Sequence, residues 1–241
     1  PPAYKIKSLQ IKITNNLKNT SFFEEKKIKK KIENVFKNKT IKKPLKNFLD
    51  QLRKTNIFSE INLKTLPSGE LICEAKIKTP YLKIKVDHVR YLSEEGQVFG
   101  KAQKKDKNLL LITGIFPKRY KTSFDKYNSL ILSKKQKEHI SQAIILYEQT
   151  RATDKLKLRK IYFEKHRGFT LDAENKNAEK YKVILGFKPF KTKLVKLKKI
   201  LTSLEAESKT PQIIELDYNG KAFVKIRSDK KPAWDLLWHK L

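Results

Sequence analysis

Asn219-Gly220 stands between two runs of alternating polarity, P-Q-I-I-E-L-D-Y before it and K-A-F-V-K-I-R after it. A type I′ turn needs two successive residues at positive φ, which Asn-Gly supplies with little strain. The stretch from Pro211 to Arg227 therefore reads as a β-hairpin. A two-residue turn would pair Tyr218 with Lys221, Leu216 with Phe223 and Ile214 with Lys225 on one face. It would pair Asp217 with Ala222, Glu215 with Val224 and Ile213 with Ile226 on the other. Leu216, Phe223 and Ile214 then give the first face a core to join. If nothing flanks the second strand, its outer N–H and C=O groups are open to another chain.

The 241 residues are long enough for one large or two small domains. With 39% hydrophobic and 10% aromatic residues the chain can bury a core, so a disordered chain is not expected despite its 34% charge. The net charge is +31, from 56 basic and 25 acidic side chains spread along the whole length. Only seven of the basic residues are Arg. Lys is a hydrated point charge, whereas base-edge reading favours the planar fork of Arg. A solvated basic surface is thus favoured over a dedicated nucleic-acid function, although any such surface attracts polyanions.

Taken in order, Tyr4–Thr14 alternates as a first strand. Ser21-Phe22-Phe23-Glu24 is a capping box, and Ile28, Ile32, Val35 and Phe36 form an apolar stripe on the helix after it. Pro44 opens a second helix through Leu45, Phe48, Leu49 and Leu52. Two strands follow around the turn Pro67-Ser68-Gly69, with Cys73 facing inward as a small core residue. This is an α+β module of two helices on a three-stranded sheet, closed by Thr79-Pro80.

Beyond it, strands are expected over 82–91 and 98–99, and at the apolar run Leu109–Phe116. A basic, Tyr-containing connector reaches Leu132, and Ser133 to Gln136 is a second capping box opening a helix. Leu156–Phe163, Gly168–Ala173 and Tyr181–Phe187 read as three successive antiparallel strands, and Pro189–Glu205 as a helix. The hairpin comes last. Trp234, Leu237, Trp238 and Leu241 share one helical face of a short tail.

No catalytic signature is present: no G-x-S-x-G, H-E-x-x-H, P-loop or G-x-G-x-x-G. One Cys and four scattered His make no zinc pattern and no disulfide, so no cofactor or metal is expected. Neither an enzyme nor a membrane-spanning run is read from this sequence. It also contains no Met, position 1 included. That raises the expectation of an excised or processed piece, with room for a membrane anchor upstream.

Several landmarks together resemble a known family. Asn56-Ile57-Phe58-Ser59-Glu60-Ile61, Leu66-Pro67-Ser68-Gly69-Glu70-Leu71 and Thr79-Pro80 look like the second half of a POTRA domain. Val86-Asp87, Glu95-Gly96-Gln97-Val98-Phe99 and Leu111-Ile112-Thr113-Gly114 resemble the start of the β domain of the FtsQ/DivIB cell-division proteins. Arg167-Gly168-Phe169-Thr170-Leu171, Val183-Ile184-Leu185-Gly186 and the hairpin run Ile214 to Gly220 follow that family's later landmarks in order. The resemblance is distant. Asp217 stands where Arg is usual, and the aromatic expected on the last strand is Lys225 or Ile226 here.

The resemblance implies a POTRA-like domain over 4–79, a mainly antiparallel FtsQ-type β domain over 80–228 with helices on one side, and an amphipathic tail over 229–241. It implies a non-catalytic divisome scaffold, bitopic in the inner membrane through a helix before this chain, facing the periplasm or cell exterior at the septum. The POTRA domain would bind other division proteins. The β domain would capture an FtsB/FtsL-like partner by strand addition through Tyr218, Gly220, Lys221, Ala222, Phe223, Val224, Lys225 and Ile226. Arg167 would pair with an acidic group of the partner. Trp234 or Trp238 of the tail is a candidate replacement for the missing aromatic, beside two other readings of these residues: a tail helix folded onto the chain's own sheet, and an interfacial anchor on lipid. Two alternatives stay open: a POTRA-containing outer-membrane assembly or secretion protein, and a basic nucleic-acid-binding protein.

Overall fold

A computed structural model describes residues 8–14, 25–37, 45–103, 106, 108–117, 120–151, 156–216 and 221–227. The Ser21–Glu24 capping box, Pro44, the hairpin turn 217–220 and the tail with Trp234 and Trp238 lie outside them, as do the side chains of Val35 and Phe36. The fold is α+β, in two compact units: residues 1–109 with 116–138, and residues 110–115 with 139–241.

The first unit opens with β1 (Ser8–Thr14), α1 (Glu25–Lys37), α2 (Leu45–Arg53), β2 (Phe58–Thr65) and β3 (Glu70–Ile77). Its sheet runs β1-β3-β2, with β1 parallel and β2 antiparallel to β3. This is the two-helix, three-stranded module expected from the sequence. Alternation decides its core: Leu71, Cys73, Ala75 and Ile77 of β3 are buried against Ile28, Ile32, Phe48 and Leu52 of the helices. Burial pushes the Cys73 thiol up to about 11, so it is an inert packing residue.

The same unit continues into an antiparallel meander of β4 (Leu82–Lys85), β5 (Val89–Leu92) and β6 (Val98–Phe99). The basic, Tyr-containing connector has a definite job. Asp125 Oδ1 accepts the N–H groups of Tyr127 and Ser129, both at 2.8 Å, and folds 124–130 into a turn. Two asparagines at positive φ then clasp it. Asn56 Nδ2 donates to the Asn128 carbonyl at 3.0 Å, and Asn128 Nδ2 donates to the Lys54 carbonyl at 2.7 Å. Lys78 Nζ donates to Asn56 Oδ1 at 2.6 Å, which gives this partly buried ammonium its acceptor.

The second unit holds β7 (Leu111–Thr113), α3 (Lys134–Arg151) from residue 139 onward, β8 (Lys157–Glu164), β9 (Gly168–Glu174), β10 (Lys180–Gly186), α4 (Phe190–Ala206), β11 (Pro211–Glu215) and β12 (Phe223–Ile226). The expected capping box opens α3: the Gln136 N–H donates to Ser133 Oγ at 3.3 Å, and the Ser133 N–H to Gln136 Oε1 at 2.9 Å. Strand order is β12-β11-β10-β9-β8-β7. The three strands β8, β9 and β10 are antiparallel, as read. β7 with β8 and β10 with β11 are parallel, joined through α3 and α4.

Both helices lie on one face of this sheet. Phe163 and Phe169 are cross-strand partners with ring centroids 5.0 Å apart. His139 of α3 sits 4.1 Å from the first ring, and Phe190 of α4 sits 5.5 Å from the second. Leu194, Leu197, Leu201 and Leu204 of α4 are buried, as their spacing indicates.

Candidate protein-docking edge

The position of β11 follows from burial. Ile214 and Leu216 are fully or almost fully buried, and the Leu216 N–H donates to the Ile184 carbonyl of β10 at 2.8 Å. β12 pairs antiparallel with β11 and ends the strand order. Among the described residues nothing pairs with its far edge.

The register corrects the sequence reading by one residue. Glu215 faces Phe223, Ile214 faces Val224 and Ile213 faces Lys225. Seven residues separate Glu215 from Phe223, an odd number, whereas the expected pairing about a two-residue turn needs an even one. The physical reason is the core. A one-residue slip carries every side chain of the strand to the opposite face. With a two-residue turn, Lys225 would sit beside fully buried Ile214; in the observed register Val224 does, and the ammonium stays in water.

The slip also moves Phe223 off the core. It is 55% exposed, on the face opposite the helices, instead of joining Leu216 and Ile214 as read. Covering the rest of the ring would be worth about half of the roughly 1.5–3 kcal/mol gained by burying a fully exposed side chain. Ile226, opposite Pro211 near the sheet's end, is 40% exposed. Lys221 is exposed and Ala222 half-buried as the chain enters β12.

The Arg227 N–H donates back to the Thr210 carbonyl at 2.8 Å. Amides alternate along an antiparallel pair, so those of Lys225 and Phe223 also point to β11. Leu216 bonding to β10 fixes the same phase on β11, since its neighbours Glu215 and Ile213 then face β12. The N–H and C=O groups of Ala222, Val224 and Ile226 are therefore the ones that face the open edge.

Arg167, in the β8–β9 turn, is not free for a partner's acid as expected. Its guanidinium donates to Glu215 Oε1 at 2.6 Å. Glu215 is the cross-strand partner of Phe223, so Arg167, Glu215 and Phe223 form one group beside the edge. Glu215 was missed because the two-residue register placed it opposite Val224. Of the other expected contacts, Tyr218, Gly220, Trp234 and Trp238 lie outside the described residues.

Among the described residues no group of His, Cys, Asp and Glu could hold a metal ion, and no helix is long and apolar enough to cross a membrane. The chain matches no family model and no curated protein sequence.

Proposed function

We propose that this chain is a non-catalytic scaffold of a cell-division assembly, capturing an extended segment of a partner by strand addition at β12. The observation that carries the reading is the open row of Ala222, Val224 and Ile226 backbone groups beside exposed Phe223. Main-chain hydrogen bonds would supply affinity, and alternating side chains specificity. The landmarks that resemble the FtsQ/DivIB proteins support the division role. On that reading the partner is an FtsB/FtsL-like coiled-coil protein, and the first unit recruits other division proteins. The chain would be held at the inner membrane of the septum by a helix preceding it.

Val224→Pro is the direct test, because it deletes an outward donor and leaves the β11 ladder whole. Capture of an FtsB-like coiled-coil peptide should weaken by about tenfold or more in this variant. Undiminished capture would exclude the edge as the docking site.

A further inference from the structure

The face of the second unit's sheet opposite the helices carries a row of charges that strand addition does not use. Cross-strand partners define it: Lys160 on β8 faces Asp172 on β9, which faces Lys182 on β10, then Ile213 on β11 and Lys225 on β12. Phe163 and Phe169 point to the helices, so alternation directs Lys160, Asp172 and Lys182 the other way. Neither helix of the unit covers this face.

Here a groove of about 670 Å³ lies over Ile213, walled by Lys160, Lys180, Lys182 and Arg227. Asp172 is the one carboxylate on its lining among the described residues. The arginines at its margin are engaged: Arg159 with Glu174, and Arg227 with Glu179 at 3.6 Å and the Lys180 carbonyl at 3.1 Å. Lys160, Lys180 and Lys182 form no ion pair with any described carboxylate.

We propose that this groove docks an acidic peptide segment of another protein, with carboxylates for the three lysines and apolar side chains between them for Ile213. Charge complementarity selects an anion, and the apolar floor selects a peptide. A nucleic acid fits less well. The exposed rings on this face, Tyr162 on β8 and Phe223 on β12, stand four strands or about 19 Å apart, too far to stack neighbouring bases. Asp172 and Glu215 also interrupt any continuous path for a phosphate backbone. The surface is separate from the hydrogen-bonding edge of β12 and does not depend on that edge being filled.

The test is fluorescence anisotropy of a labelled peptide alternating Glu with Leu, at about 0.15 M salt. Lys180→Glu with Lys182→Glu should weaken binding at least about tenfold, and the milder Lys→Gln pair should weaken it less. Lys198→Glu with Lys199→Glu, exposed on α4, makes the same change in net charge and should alter binding less than about twofold. Val224→Pro should leave it unchanged, which separates failure here from failure at the edge. Equal loss from the two charge-reversed pairs, absence of peptide binding by the unsubstituted chain, or tighter binding of an oligothymidylate would each overturn the proposal.

Discussion

Two glycines of the second unit sit where only a hydrogen fits. Gly168 has φ +73°, and a Cβ there would overlap the carbonyl of Gly186 and come 2.8 Å from the Phe187 nitrogen. Gly114 has φ +90° and would overlap the Phe163 carbonyl. Gly168→Ala should therefore cost about 3 kcal/mol in urea unfolding, combining backbone strain with forced strand separation. Asp87 offers a pH test. The Arg90 guanidinium donates to both its oxygens at 2.9 Å and holds its carboxyl down to about 2 from 3.8. A carboxyl depressed in the folded state stabilises above its unfolded value and loses that contribution as protons bind. Stability should fall as pH drops from 3.8 toward 2, and Arg90→Gln should remove that part of the acid sensitivity, read from unfolding midpoints across that range. Residue types foretold much here: the capping box at Ser133 and the buried, inert Cys73 follow from local chemistry. The Asn56–Asn128 clasp does not, because 72 residues separate its halves and nothing in either segment names the other.

At the scale of elements, β12 shows what a local pattern can and cannot specify. Asn-Gly and alternating polarity announced a hairpin, and a hairpin strand is there. Its register depended on something farther away, whether Val224 or Lys225 would stand beside buried Ile214, and burial overrode the turn signal. The parallel pairings were illegible for a related reason. Alternation says which face a strand buries, but not which strand lies beside it, so the crossovers through α3 and α4 had no local mark. The backbone assignment can be checked by two adjacent prolines. Val224→Pro removes an N–H that faces outward and should lower stability by less than about 1 kcal/mol. Lys225→Pro removes an N–H that bonds β11 and should cost about 3 kcal/mol. Denaturant unfolding of the pair would reveal equal losses if the phase assigned to β12 were wrong.

Across the whole molecule, the α+β class and the first module were readable because short segments with strong periodicity built them. The site was only partly readable. Phe223, Val224, Lys225 and Ile226 do lie at the end of the strand order, yet Phe223 faces outward and Arg167 is already paired with Glu215. The net charge of +31 also takes on local form, since lysines with no ion partner among the described residues gather on the sheet face opposite the helices, where Phe223 stands on the last strand. The most direct measurement of the central claim is residue-resolved amide exchange with and without an FtsB-like coiled-coil peptide. Strand addition should slow exchange at Ala222, Val224 and Ile226 by about tenfold or more, while Phe223 and Lys225, already bonded to β11, change little. Unchanged exchange at Val224 and Ile226 in a saturated complex would contradict docking at this edge.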